Sequence, residues 1–303
     1  MLRAAVLGLA HRKAIRSIAT SGIGRRVALR FVAGETLDDA VKVIRKLDAA
    51  GASASIDYLG ENVVDLDLAA NAARVYERAL DRIRAENLPA SVSLKLTQMG
   101  LDLDPAVAYA HAEAIAGRAR AAGTSVTLDM EDHSYTERTL EMCVRLSAAH
   151  PGHVGVALQA CLKRSAVDLD RLISAGVHVR LCKGAYREPR SLAYQRRGSV
   201  AAAFARLAER LLGSGSYAMI ATHDEDLIAR AIAEARRRGL ARDRFEFQML
   251  YGVRRELQQR LVAQGYRLRV YVPFGDQWYP YLTRRIAERP ANVRFFAEAL
   301  IRK

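Results

Sequence analysis

Two adjacent arginines, Arg284 and Arg285, share a helical spacing with Tyr281 and Glu288. Positions i, i+3, i+4 and i+7 lie on one side of a helix, which in a globular domain is ordinarily the apolar stripe. Here the apolar Leu282, Ile286 and Ala287 fall elsewhere. Neighbouring guanidiniums beside a phenol and a carboxylate suit a small anion, because each can grip a carboxylate or phosphate with two parallel hydrogen bonds. A solvated face with weak ion pairs has the same composition, so the segment decides nothing alone. A second set of chemically capable residues is spread through the chain: Asp57 with Glu61, Lys95, Asp129 with Glu131, Gln159, Arg180 with Lys183, Thr222 with His223, Gln248 and Tyr271. What they can do depends on the elements that carry them.

From about residue 53 short β-like runs alternate with helical stretches. The expected strands are Ser53–Asp57, Ser91–Lys95, Ser125–Asp129, Val154–Leu158, Val177–Leu181, Ala218–Ala221, Phe245–Met249 and Leu268–Tyr271. Between them fall helices over Val64–Ala85, Pro105–Ala121, Thr136–Ala149, Arg164–Ser174, Ser191–Leu212, Glu225–Arg238 and Arg254–Gln264. Several stop at a glycine followed closely by the next strand. Such alternation implies parallel pairing through right-handed crossovers, and eight repeats suit a closed (β/α)8 TIM barrel over residues 31–303. In that fold the active site lies at the C-terminal ends of the strands. The second set of residues falls at those ends, which is more than helix capping explains.

Composition bounds the rest. Half the residues are hydrophobic, enough for a sizeable core, yet no apolar run approaches the ~18 residues of a membrane span. The formal charge of +14 speaks about association rather than fold. Its arginines are scattered along helices, and without a zinc-finger or RNA-recognition signature no nucleic-acid partner is expected. Cys143, Cys161 and Cys182 show no C-x-x-C spacing, so neither a disulfide framework nor a structural metal site is expected. That use of cysteine suits the cytoplasm. Residues 1–34 contain no acid and seven basic side chains, with an apolar run at Ala4–Ala10. We read residues 1–30 as a helical extension preceding the barrel, with an amphipathic membrane-surface segment as the alternative.

The segments Asp57-Tyr-Leu-Gly-Glu61, Ser93-Leu-Lys95, Asp129-Met130-Glu131, Leu158-Gln159-Ala160, Arg180-Leu-Cys-Lys183-Gly184-Ala185-Tyr186, Thr222-His223-Asp224, Phe245-Glu-Phe-Gln248 and Tyr271-Val-Pro273 occur in order. With Tyr281-x-x-Arg284-Arg285-x-x-Glu288, they closely resemble the proline dehydrogenase (proline oxidase) family in its short bacterial monofunctional form. The resemblance implies a distorted (β/α)8 barrel holding FAD non-covalently. It implies oxidation of L-proline to Δ1-pyrroline-5-carboxylate, with hydride passing from C5 to flavin N5 and electrons leaving to a membrane quinone. A pyrroline-5-carboxylate dehydrogenase would act downstream, and the chain would sit at the inner face of the cytoplasmic membrane.

The resemblance also implies roles. Lys95, Arg284 and Arg285 would hold the proline carboxylate, while Tyr271, Tyr281 and Leu250 wall its ring. Glu61 would pair with Arg284 as a gate. Met130, Gln159, Arg180, Lys183, Gly184, Ala185, Thr222 and His223 would surround FAD. Glu131, Arg180, Lys95 and Asp129 form the expected catalytic group, and Lys95 needs a carboxylate partner, either Asp129 or Glu288. Two departures bear on the cofactor: Cys182 stands where the family commonly has Val, and Arg187 differs from the bulky residue of some relatives. A related dehydrogenase acting on 4-hydroxyproline is the enzymic alternative, and Tyr271 leaves less room near ring C4 than that substrate would want. A basic nucleic-acid-binding or membrane-adaptor protein is the non-enzymic alternative, and it would purify without flavin colour.

Overall fold

The structure, a computed structural model, describes residues 29–278 and Tyr281. Eight parallel strands pair in chain order and close into a barrel: β1 (Ser53–Tyr58), β2 (Ala90–Leu94), β3 (Val126–Leu128), β4 (Val154–Gln159), β5 (His178–Cys182), β6 (Ala218–Ala221), β7 (Phe245–Leu250) and β8 (Leu268–Phe274). Helix α1 (Leu37–Ala49) precedes the barrel and packs outside β8 and β1. The crossovers are α2 (Leu66–Ala85), α3 (Pro105–Ala121), α4 (Thr136–Ala149), α5 (Ser165–Ser174), α6 (Arg197–Leu212), α7 (Glu225–Arg237) and α8 (Arg255–Ala263).

Local chemistry explains the punctuation. Asp65, Asp104 and Asp224 cap α2, α3 and α7 with side-chain oxygens on first-turn N–H groups, and Pro105 opens α3 where no N–H is needed. Thr36 and Asp39 form a reciprocal capping box at α1. That helix is an addition to the sequence expectation, which placed its helical extension at residues 1–30. The extension lies outside the described residues apart from Leu29 and Arg30, as do Arg284, Arg285 and Glu288.

Outward strand residues such as Ile56, Val92, Leu128, Val156, Val179, Phe247 and Val270 are fully buried in one continuous core beneath the helices. Each such burial contributes about 1.5–3 kcal/mol. The inward face is different. TIM barrels usually fill their interior with branched apolar side chains, whereas here Ser55, Ser93, Arg180, Glu246 and Gln248 are buried and hydrogen-bonded to one another. Small residues make room for the long ones. At Gly155 a Cβ would lie 2.9 Å from the His178 carbonyl oxygen and 3.2 Å from Met219 Cε.

Four boundaries differ from the sequence expectation in ways that matter for the site. The β2 and β3 ladders stop at Leu94 and Leu128, leaving Lys95 and Asp129 just past the strand ends. Strand β8 continues to Phe274, so Tyr271 sits mid-strand. Helix α6 starts at Arg197 rather than Ser191. The chain before it is tied to the β4–α5 turn by Lys163 N–H donating to Leu192 O at 2.9 Å and Tyr194 N–H to Cys161 O at 2.8 Å.

Candidate active site

Lys95 anchors the mouth of the barrel. Its ammonium lies 3.1 Å from Asp57 Oδ1 and 3.6 Å from Asp129 Oδ2, and all three side chains are nearly inaccessible to water. Burial opposes the charge, but the two carboxylates outweigh it and hold the Lys95 pKa above its ordinary value. Asp57, from the end of β1, is therefore the nearer partner, in addition to the expected Asp129. Glu61 and Tyr186 also lie within electrostatic range of Lys95.

Asp129 joins this cation to a second one. Its Oδ1 accepts from Arg180 Nη1 at 2.5 Å, and its Oδ2 accepts from the Tyr271 phenol at 2.6 Å. Burial, with Asp129 beside it, raises the Tyr271 pKa far enough that the phenol remains a donor. The Arg180 guanidinium also stands over the Tyr271 ring, 5.4 Å from its centroid. Arg180 springs from deeper than the end of its strand, and its guanidinium reaches up to Asp129 at the mouth. It lies within β5, with Nη2 donating to Ser93 Oγ at 2.8 Å and Ser55 Oγ at 3.3 Å, and Nε donating to Gln248 Oε1 at 2.5 Å. Gln248 is likewise inside β7 rather than at its end. These bonds use four of the five N–H donors an arginine carries.

Glu131 follows β3 and is held by Thr97, whose hydroxyl donates at 2.7 Å and whose backbone N–H donates at 3.2 Å. Burial pushes its pKa up to about 7, near the poise a group exchanging protons at neutral pH requires. Met130 beside it is buried. Gln159 donates to the Glu131 carbonyl at 2.8 Å and accepts from Ala185 N–H at 3.4 Å, bridging the ends of β3 and β5. Gly184, between Lys183 and Ala185, has a φ of +102°, and a Cβ there would meet Cys161 Sγ at 2.4 Å. Only glycine fits both the conformation and the space.

Lys183 is part-exposed and pairs with Asp224 at 2.6 Å. Thr222 Oγ1 accepts from Asp224 N–H at 3.2 Å, and His223 Nε2 accepts from Leu250 N–H at 2.9 Å, fixing the ends of β6 and β7 together. Cys182 carries a thiol that burial pushes up to about 12, so it is neutral near pH 7. Tyr281 is buried with Trp278, Phe31, Val32 and Leu59, and Tyr271 packs against this cluster. Trp278, Ser55 and Arg269 escaped the sequence reading, and Thr97, Ser93 and Glu246 were given no role in it. A polar residue at every second strand position (Ser53-Ser55-Asp57, Ser91-Ser93-Lys95, Glu246-Gln248) is the signal that would have found Ser55, Ser93 and Glu246.

The family model for proline dehydrogenase matches residues 40–298. Proline dehydrogenase 1 of Bacillus subtilis (strain 168) is 39% identical over 303 residues, spanning 100% of both chains. The proline dehydrogenase of Deinococcus radiodurans is 36% identical over 306 residues, spanning 100% of this chain and 98% of its own. The fold matches the crystal structure of proline utilization A (PutA) from Bdellovibrio bacteriovorus inactivated by N-propargylglycine, with a TM-score of 0.81 at 23% identity. That alignment covers 91% of this chain and 35% of the PutA chain. With a family match across most of its length and full-length relatives well above 30% identity, this chain belongs to the proline dehydrogenase family, enzymes of the first step of proline catabolism.

Proposed function

We propose that the chain oxidises L-proline to Δ1-pyrroline-5-carboxylate with FAD as the bound hydride acceptor and a membrane quinone as the final one. The observation that carries this reading is the barrel-mouth array Asp57–Lys95–Asp129–Arg180–Tyr271, two cations and two carboxylates locked together at hydrogen-bond distances. Its charges balance, so Lys95 can present a buried donor to a substrate carboxylate without an uncompensated ion. Arg284 and Arg285 complete the carboxylate clamp in this reading, with Glu61 pairing to Arg284 as a gate.

The residues present fit FAD. Gly184 opens the backbone for close approach, Gln159 is held rigidly beside it, and Lys183 supplies positive charge for a pyrophosphate. Met130, Ala185, Thr222 and His223 line the same rim. FAD supplies a two-electron acceptor, and Arg180 keeps one Nη1 donor for it, so positive charge stands where negative charge would develop. Tyr271, Tyr281 and Leu250 wall the proline ring. Glu131, with its pKa near neutrality, serves as the proton-exchanging carboxyl of the rim. Lys95 and the guanidiniums lower the pKa of the substrate amine, so the ring nitrogen can be neutral when C5 gives up hydride.

No helix among the described residues is long and apolar enough to cross a membrane. Contact with a quinone pool at the inner membrane face would then fall to the basic segment 1–34. The product is the substrate of a pyrroline-5-carboxylate dehydrogenase, which would act next. Anaerobic addition of L-proline to the purified yellow protein tests the reading. Bleaching of the flavin absorbance is expected, and a protein that lacks flavin or keeps its colour with proline refutes it.

A further inference from the structure

We infer that Glu246, on the floor of the barrel and outside the mouth, is a positioning residue that fixes the reactive orientation of Arg180 through the Gln248 side chain. The inference rests on the flavin-dependent reading above. An ionised carboxylate only accepts hydrogen bonds. Glu246 Oε1 accepts from Gln248 Nε2 at 2.6 Å and from Arg269 Nε at 2.8 Å, while its Oε2 accepts from the Tyr217 phenol at 3.2 Å. Gln248 must therefore turn its NH2 toward the floor and its carbonyl oxygen toward the mouth. That oxygen is the acceptor for Arg180 Nε at 2.5 Å.

Without an acceptor at position 246 the Gln248 NH2 is left unpaired on the floor, and Arg180 Nε alone holds the amide. Turning over to relieve the floor would set an NH2 against that N–H donor in a site closed to water. Glu246 is kept ionised for the task. Burial disfavours its charge, yet Arg269 with the Gln248 and Tyr217 donors outweighs that and holds its pKa below the usual carboxylate value. Arg269 is anchored in turn, donating to Ala54 O at 3.0 Å and Ser91 Oγ at 3.2 Å. The column thus runs from β8 through β7 to β5 and fixes the guanidinium from below, while Asp129, Ser55 and Ser93 fix it from the side.

A simple ion-pair role for Glu246 would serve Arg269 alone, and removing both partners of that pair separates the possibilities. Glu246→Leu combined with Arg269→Met leaves no unpaired ion on the floor but takes the acceptor from Gln248 Nε2. It should slow flavin reduction at saturating proline by about tenfold or more, leave half-saturating proline within about threefold, and shift the flavin midpoint potential negative. A tenfold loss of preference for the reduced cofactor corresponds to about 30 mV for a two-electron couple. The potential is measured by reductive titration without proline, so it reads the site and not turnover. Glu246→Gln is the conservative control: its amide oxygen can take the place of Oε1 and accept from both Gln248 Nε2 and Arg269 Nε, so its rate and potential should stay near the parent values.

A double variant with the parent rate and potential overturns the inference, and so does one that cannot hold FAD, which would make the pair structural. So does a Glu246→Gln protein that loses rate and potential as far as the double variant, because an acceptor at that position would then not be what holds Gln248. The unmodified chain run alongside separates the two readings. If proline does not reduce its flavin, the assignment of the enzyme has failed. If proline does and the double variant behaves the same, only the positioning role has.

Discussion

Replacing Asp57 by Asn tests whether the barrel mouth works by placing a cation or merely by holding one. Lys95 has two carboxylate neighbours, at 3.1 Å and 3.6 Å. At an effective dielectric constant of about 20 their gross attractions are about 5.4 and about 4.6 kcal/mol, so Asp57 supplies slightly more than half. Asn removes that attraction but also relieves the desolvation of a buried carboxylate, and Asp129 remains. The net loss of stability should therefore be about 3 kcal/mol or less, at or below the bottom of the range for orphaning a buried ion. Catalysis should suffer differently. With Asp57 gone, the ammonium is drawn toward Asp129 and away from the position between the two strands. Loss of one charge-assisted hydrogen bond to the substrate carboxylate is worth about 1.5–3 kcal/mol, or about 10- to 100-fold in kcat/KM, mostly through KM. Against this stands a competing term: the variant leaves the mouth one positive charge richer, which should attract an anionic substrate. Steady-state kinetics with L-proline, alongside flavin content and urea unfolding, separate the two. Unchanged kinetics in a folded, flavin-loaded Asp57→Asn protein would mean that Asp129 places Lys95 alone. A lowered KM would mean that net charge rather than geometry governs binding, and the argument would fail.

Four further outcomes are expected. Glu131 has a folded pKa of about 7 against an ordinary 4.5, so the folded state holds its proton more tightly and the stability it lends is lost as pH rises through that window. Denaturation of the parent and Glu131→Gln below and above the window should give a stability difference that changes by about 3 kcal/mol, and parallel curves would refute the assignment. Gly184→Ala, meeting Cys161 Sγ at 2.4 Å and a φ of +102°, should strip FAD from the purified protein, with Cys161→Ala restoring only part because the backbone strain persists. Arg284→Met or Arg285→Met should cost about 1.5–3 kcal/mol in kcat/KM for proline with FAD retained, and near-normal values in both would end the carboxylate-clamp reading. Deleting residues 1–26 should abolish salt-sensitive co-sedimentation with anionic vesicles while dye-linked turnover persists, and equal sedimentation of both proteins would refute membrane contact through that segment.

The barrel was legible in the sequence because its signals are local. Aspartate caps at Asp65, Asp104 and Asp224, the glycine stops, and short apolar runs each reflect one element's own hydrogen bonding and burial. Boundaries proved less legible where tertiary bonds decide them. The chain from Ser191 to Arg196 has helical composition but is held as a loop by the β4–α5 turn. The site divides along the same line. Which residues surround the mouth could be read, because strand ends converge there in any such barrel. Which carboxylate meets which cation could not, since Asp57 and Asp129 stand equally plausibly beside Lys95 until the stagger of β1, β2 and β3 places them at 3.1 and 3.6 Å.

The hidden part of the site follows from an assumption that fails here. Parallel strands buried on both faces should read as continuous apolar runs, so an alternating polar residue in β1, β2 or β7 suggests solvent on one side. In this barrel the second face looks onto an interior of arginines, serines and carboxylates that bond to one another. Such a core is a demanding way to fill space, because each buried donor left without an acceptor costs about 1–3 kcal/mol. Branched apolar residues would fill the same volume without that risk. What they could not do is carry a fixed positive charge from the floor to the mouth and hold it against Asp129 at 2.5 Å. The polar interior is best understood as the support of Arg180, and the barrel's usual division between a packed centre and a reactive rim does not hold in this chain.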